Sequence, residues 1–498
     1  MTPIARIKYP SQLPFLIRVI RVIRAVTSAW LSGGIPASGE ATSDNVSCIL
    51  GRNALKHLLD SRGRIQQPPW IMITEIPRRT FLKQAAAAGI TLASSRLARG
   101  AVSPNEKLNI GFIGTAGQAG FSISNLKQEN IVALCDIDDQ KLAAAKQQFP
   151  GAKTYNDFRR LVEQKDIDAI VVATPDHTHA VAAVAALRSG HHLYCEKPLA
   201  RTISETRLIT ETAREMKRVT QIGTQIHAGN NYRRVVELIQ SGAIGPVRDV
   251  HVWAGAIYGD KPKPRPMPVP AHIHYDLWLG PVAEQPYSSD FVPFAWRNWW
   301  AFGGGSLADF GCHYMDLPHW ALDLRAPLSA EPLEGPPVDA EAPPPQLAVR
   351  FEHPARGAKP PVTLTWYHGG KHPIFIREHL YPNWKSGVLF IGTKGMLVAD
   401  YGRFKLLPEK DFEGFVPPAK TIPDSIGHHK EWVNAIKNGG TTTCNFDYSG
   451  ALTEAALLGN VAYRVQRKLE WDSAKLSAPN CREADEFIHH HYRKGWSL

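Results

Sequence analysis

Two short runs of this chain hold residue types that could do chemistry. The first is Cys195-Glu196-Lys197-Pro198, closing a strand-like stretch at 191–195. Upstream lie a buried-strand pattern at 168–174 (DAIVVAT), a polar loop at 175–179 (PDHTH) and an alanine-rich helix at 180–189 that stops at Gly190. This order predicts parallel strands and puts Glu196 and Lys197 at their carboxyl edge, where doubly wound sheets bind ligands. A lysine there can hold a substrate oxygen beside a cofactor, and Pro198 restricts the backbone around it. The second run is Gly303-Gly304-Gly305-Ser306-Leu307-Ala308-Asp309-Phe310-Gly311-Cys312-His313. On a helix Asp309 and His313 are i and i+4 and share one face. Such a pair is either a site carboxylate with a site imidazole or an ion pair on a helix surface. Asp316 and His319 extend the spacing toward a metal-ligand pattern, but no cysteine or outer partner supports it, and no metal is expected.

The elements that must position these runs begin earlier. Residues 108–113 (LNIGFI) form an apolar strand pattern leading into Gly114-Thr115-Ala116-Gly117-Gln118-Ala119-Gly120. A helix-like stretch follows to Leu126, then a second strand pattern at 131–135 (IVALC), ending at Asp136. Asp136 stands 22 residues after Gly114, which fits the dinucleotide fingerprint. Glycines permit the tight turn and close approach to a pyrophosphate, whose charge the helix N-terminus favours. Asp136 would bind ribose hydroxyls and repel a 2′-phosphate, so NAD is expected rather than NADP. The strict pattern has glycine at 116 and 119, where this chain has alanine; Gly117 and Gly120 supply the nearby freedom. An ordinary strand-to-helix turn is the plain alternative, and it leaves Asp136 as a turn residue.

The chain has 498 residues, 44% hydrophobic and 21% charged, enough for two or three domains of soluble globular type. Its net charge of +11 is concentrated in residues 1–103, which hold 14 Lys and Arg against 4 Asp and Glu. The remainder carries 43 basic and 42 acidic residues, which excludes a general phosphate-binding surface, so no nucleic-acid partner is expected. Cysteines 48, 135, 195, 312, 444 and 481 have neither zinc-site nor disulfide-framework spacing.

Residues 78–83 read Arg-Arg-Thr-Phe-Leu-Lys, followed by an apolar stretch at 85–93 and small residues at 98–101. The stretch is shorter than the roughly 20 residues that a membrane span needs, so no stable span is expected. The pattern resembles a twin-arginine (Tat) export signal, and the Tat export machinery is the expected partner. Some 77 residues precede the arginines, whereas Met72 would give an ordinary short start. Residues 1–71 are therefore expected to be a mis-assigned or disordered extension, residues 72–103 the signal, and the mature protein periplasmic or otherwise exported. A basic membrane-surface helix at 15–26 is the rival for the extension.

LNIGFIGTAGQAG, VALCDID, VVATPDHTHA, HHLYCEKPLA and the Gly303–His313 run occur in this order and resemble the Gfo/Idh/MocA family of oxidoreductases. The closing YRKGWSL is similar to the end of exported bacterial members, and the resemblance spans about residues 105–498. It implies an α/β fold with an N-terminal Rossmann doubly wound parallel sheet (residues 104–226). A C-terminal α/β domain with a large, mostly antiparallel sheet (residues 227–498) would follow, with the active site between them. Strand-like stretches at 248–254, 347–352, 362–367, 387–391 and 396–399 accord with that. The Pro-rich segments 260–270 and 327–345 read as surface loops, and 427–438 and 448–467 as helices, the second amphipathic.

Hydride removal from a sugar alcohol requires an oriented carbon, loss of the hydroxyl proton and a stabilised alkoxide. The resemblance implies that Lys197 binds the reacting oxygen and stabilises its charge. His313 would be the general base, and Asp309 would orient the site and help bind a substrate hydroxyl. For the cofactor it implies Gly114, Ala116, Gly117, Gln118, Ala119 and Asp136, with Thr174, Pro175 and His179 lining it. Glu196 and Lys197 would lie on the nicotinamide side, and Gln225 is a further candidate. His177 and His179 read equally well as solvated loop histidines. Arg297 with Trp296, Trp299 and Trp300 is either a cleft wall or packing, and 489–491 (three histidines) reads as a solvated tail. The expected protein is thus an exported NAD-dependent oxidoreductase of a small-molecule sugar, polyol or sugar derivative, assembled as a homo-oligomer. Two alternatives stay open. One is a glycosidase acting through transient oxidation by NAD, a branch that tends to lack the lysine retained here as Lys197. The other is a non-catalytic carbohydrate-binding protein, in which Lys197 and His313 would be replaceable.

Overall fold

A computed structural model of the chain describes residues 107–498 apart from 260 and 382. The signal, extension and export expectations for residues 1–103 lie outside the described residues. Of the described helices, none is long and apolar enough to cross a membrane.

Six parallel strands form the first sheet: β1 (Asn109–Ile113), β2 (Asn130–Cys135), β3 (Lys153–Tyr155), β4 (Ala169–Val172), β5 (His192–Cys195) and β6 (Thr220–Ile222), in the order β3-β2-β1-β4-β5-β6. The strand order reverses between β1 and β4, which makes the doubly wound topology and its ligand crevice. β1 and β4 are apolar because helices cover both faces of a parallel sheet, and all four residues of β4 are buried. The helices include α1 (Gln118–Leu126), α2 (Asp139–Gln148), α3 (Asp176–Arg188) and α4 (Ile203–Glu215). Asp138 caps α2 through the Gln140 and Lys141 N–H groups, and Thr202 with Glu205 forms a capping box on α4.

The second sheet holds β7 (Val247–Ala254), β8 (Ser329–Glu334), β9 (Leu347–His353), β10 (Val362–His368), β11 (Gly387–Gly392), β12 (Gly395–Ala399), β13 (Phe404–Leu407) and β14 (Leu469–Glu470). Its order is β13-β12-β11-β7-β10-β9-β8-β14, and only the β7–β10 pair is parallel. Helix α5 (Gly305–Tyr314) packs on β7 and β10, α6 (His428–Asn438) packs on α1 of the first sheet, and α7 (Phe446–Val465) lies on β8, β9, α4 and α5. The fold is thus the expected α/β combination of a parallel Rossmann-type sheet and a large, mostly antiparallel one.

Two expectations need correction. The segment 327–345 is not all loop, because it carries β8, whose register against β9 shifts between Pro332 and Glu334, where a strand tolerates proline. Helix α7 is not amphipathic in place: sixteen of its twenty residues are buried, because it is wedged between the second sheet and α4.

Candidate active site

The carboxyl ends of β1, β2, β4 and β5 open into one cleft of about 720 Å³. Gly114 turns the chain at φ +91°, and a Cβ there would stand 2.5 Å from the Ala173 carbonyl oxygen, so only glycine fits between β1 and β4. Ala116, Gly117 and Gln118 line the cleft at the N-terminus of α1. Ala119 does not; it is fully buried in α1, so it serves helix–sheet packing and not ligand contact. The Thr115 N–H and hydroxyl donate to Asp136 Oδ2 at 2.9 and 2.8 Å, and the Asp138 N–H donates to Oδ1 at 3.0 Å. Burial raises the Asp136 pKa and these bonds oppose the rise. The carboxylate is thereby fixed beside Asn156 at one end of the cleft.

At the other end, Lys197 Nζ donates to Asp309 Oδ1, joining the loop after β5 to α5 across the two domains. Both side chains are shielded, 11% and 7% exposed. Arg297 Nε approaches the same oxygen at 3.4 Å, and its guanidinium stacks 4.1 Å above the Trp296 ring. Burial alone would raise the Asp309 pKa, but Lys197 and Arg297 hold it at about 2. For Lys197, burial acts downward and the Asp309 carboxylate more than compensates, leaving the ammonium pKa raised. His313 also lines the cleft; burial first, then the Lys197 charge, lowers its pKa to about 3. At neutral pH the arrangement is ammonium, carboxylate and neutral imidazole, and His313 Nδ1 has no hydrogen-bond partner among the described residues. Asp309 itself does not line the cleft. The expectation that it binds a substrate hydroxyl is corrected to a positioning role, because its Oδ1 is committed to Lys197.

Glu196 accepts from Gln225 Nε2 at 2.9 Å and Gln118 Nε2 at 3.5 Å, while its Oε2 is buried without a partner among the described residues. Burial raises its pKa to about 7 against the pull of Lys197. Gly223 makes room for this carboxyl, since a Cβ would lie 2.2 Å from Oε2. Thr174 and Pro175 line the cleft as expected. Asp176, which the sequence reading passes over, lines it too, with Oδ1 unpartnered among the described residues and its pKa raised by burial to about 8. The signal is present as an acid directly after Pro175, at the start of a helix.

The PDHTH segment is a correction: α3 already begins at Asp176, and His177 and His179 are each 1% exposed. His177 Nε2 donates to the Trp278 carbonyl at 2.7 Å. The His179 ring lies between the carbonyls of Pro198 and Thr174, at 2.8 Å from each. His179 therefore does not touch the cleft but braces, from behind, the two loops that do. Of Trp296, Trp299 and Trp300, only Trp296 lines the cleft; Trp299 packs in an aromatic cluster with Phe291, and Trp300 lies beneath Arg464. Asp316 and His319 do not join Asp309 and His313. Asp316 accepts from His227 Nδ1 at 2.9 Å and the Tyr448 hydroxyl at 2.7 Å, and His319 Nδ1 donates to the Met315 carbonyl. His227, Asp316 and Cys444 do converge in a buried group, within which His227 Nδ1 already bonds to Asp316.

Comparison with known proteins accords with this geometry. Residues 108–224 match the family described as GFO_IDH_MocA, oxidoreductase family, NAD-binding Rossmann fold. Residues 233–342 match its companion, the oxidoreductase family C-terminal alpha/beta domain. The two matched stretches are thus the family's NAD-binding Rossmann domain and its C-terminal domain, in that order along the chain. It is 35% identical over 123 residues to inositol 2-dehydrogenase of Salmonella typhimurium, covering 24% of this chain and 37% of the relative. It is 33% identical over 189 residues to a glycosyl hydrolase family 109 protein of Solibacter usitatus, covering 34% and 43%. The chain thus spans less than half the length of these curated relatives. Among solved structures it is similar in fold to the WlbA dehydrogenase of Bordetella pertussis in complex with NADH and UDP-GlcNAcA. The TM-score there is 0.53 at 18% identity, over 74% of this chain and 99% of that one.

The residues present fit NAD. The glycine turn at the α1 N-terminus suits a pyrophosphate, the fixed Asp136 carboxylate suits ribose hydroxyls, and Glu196 and Gln225 line the opposite end.

Proposed function

We propose that this protein oxidises a hydroxyl-bearing carbon of a sugar, polyol or sugar derivative with NAD, or reduces the corresponding carbonyl with NADH. The single observation that carries the reading is Lys197, paired with Asp309 behind the cleft wall and with His313 beside it, in the cleft that also holds the Gly114 turn and Asp136. Bound NAD would accept the hydride, or NADH return it. Lys197, kept charged by Asp309, would donate to the reacting oxygen and stabilise its negative charge in the transition state. Neutral His313 would take the hydroxyl proton on a free ring nitrogen and return it in the reverse direction. Arg297, stacked on Trp296, would fix a second oxygen of the substrate and share in holding Asp309. Spectrophotometry of NAD reduction across sugars and polyols tests the reading. Turnover that Lys197→Ala abolishes supports it, and turnover indifferent to Lys197 overturns it.

A second reading, hydrolysis of a glycoside through transient oxidation, draws support from the glycosyl hydrolase relative. Release of a phenol from an aryl glycoside without added cofactor would favour it. We propose also that the chain leaves the cytoplasm by the twin-arginine route, on the strength of Arg78-Arg79-Thr80-Phe81-Leu82-Lys83, and that it works as a homo-oligomer.

A further inference from the structure

Of the three histidines at 489–491, His489 and His491 are exposed as a solvated tail would have them, but His490, Tyr492, Arg493 and Trp496 dock on the body of the protein. His490 Nδ1 accepts from Arg201 at 2.6 Å, and burial lowers its pKa to about 3. The Tyr492 hydroxyl donates to Glu205 at 2.6 Å, on α4 of the first domain. Arg493 donates to the carbonyls of Gly280 and Asp276 at 2.6 and 2.7 Å and pairs with the Asp276 carboxylate at 2.7 Å. These contacts carry the chain end back to the first sheet. There the half-buried Trp496 ring stands 6.1 Å from the Phe158 ring, with the Arg159 guanidinium 4.7 Å from its centre.

Trp496 lines the cleft together with Asp136, Asn156 and Phe158. In a doubly wound nucleotide domain the acid after the second strand meets the adenosine ribose, so the base lies just beyond it. That is where Trp496 and Phe158 stand. An aromatic ring presents a π-face on which any base can stack, and flanking guanidinium groups hold such a ring by cation–π attraction.

We infer that the C-terminal tail completes the adenine subsite, with Trp496 as one wall, so that the second domain holds the far end of the cofactor as well as the reacting end. The inference rests on the NAD reading above. The tail adds a grip on the adenosine half that the glycine turn and Asp136 do not provide.

The test uses the full chain and its Trp496→Ala and Trp496→Phe variants, with calorimetric titration of NADH, ADP-ribose and nicotinamide mononucleotide. Loss of one base–aromatic stack should weaken NADH and ADP-ribose about 5- to 150-fold in Trp496→Ala. Nicotinamide mononucleotide, which lacks the base, should bind as in the parent, and Trp496→Phe should recover most of the loss. Unchanged ADP-ribose binding, or equal weakening of both halves, would overturn the inference and leave the tail a structural strap. If the unaltered protein binds none of the three, the NAD reading falls and this inference with it.

Discussion

Replacing Asp309 by asparagine tests the electrostatic core of the site, because it keeps the shape and removes the charge. The folded carboxylate titrates near 2 against an ordinary 3.8, so at about 1.4 kcal/mol per unit it contributes roughly 2 kcal/mol of stability. A depressed acid contributes above its unfolded pKa and loses that contribution as pH falls through the folded value. The Asp309→Asn variant should therefore be less stable at neutral pH, with the gap to the parent closing from about pH 4 toward pH 2. The neutral amide would also leave the Lys197 ammonium shielded beside Arg297, and breaking one side of a buried pair costs about 3–5 kcal/mol. The expected loss at neutral pH is thus about 2–5 kcal/mol. Lys197 would retain burial, the largest influence, and the Arg297 charge, both of which lower its pKa, against the smaller upward pull of Asp176. The alkaline limb of kcat/KM should then move to lower pH, with kcat/KM down about 10²- to 10³-fold, the usual scale for weakening an oxyanion partner. Thermal unfolding across the acid range and a pH profile of turnover read both effects. An unmoved alkaline limb with unchanged stability at neutral pH would refute the view that Asp309 keeps Lys197 charged.

Three further outcomes follow from the same geometry. Gly114→Ala should abolish NADH binding in a titration, because a Cβ meets the Ala173 oxygen at 2.5 Å in a left-handed turn. His313→Asn should lower kcat about 10²- to 10⁴-fold while leaving the NADH dissociation constant unchanged, as expected of a proton acceptor outside the nucleotide grip. Changing Arg78 and Arg79 together to Lys should strand the chain in the cytoplasmic fraction of a Tat-competent bacterium, scored by immunoblot of separated fractions.

What is legible in the sequence is local. The Gly114 turn, the buried strands on either side and Asp136 sit within one strand–helix–strand unit, so their spacing carries the first domain. Glu196 and Lys197 follow from the same logic, because the end of a parallel strand fixes where they stand. The pairing of Lys197 with Asp309 spans 112 residues and two domains, and no local period reports it. Nor does a period report that α7 is buried all round, since its surroundings are built by distant segments. Pro175-Asp176 looks like a turn, although proline at a helix start is favoured for the same reason that it is common in turns, its fixed φ. Reading it as a turn puts His177 and His179 in solvent and hides Asp176. The tail escapes a sequence reading because its polar composition gives no hint that Arg201, Glu205 and Asp276 stand ready to bind it.

The central claim is that this cleft holds NAD. Its most direct test is to purify the folded full-length protein, denature it, identify any released nucleotide by mass spectrometry, and titrate the nucleotide-free protein with NADH and NADPH. The account predicts that NAD or NADH is released, or that NADH binds more tightly than NADPH because Asp136 repels a 2′-phosphate. Preferential binding of NADPH, or binding of neither, would contradict it.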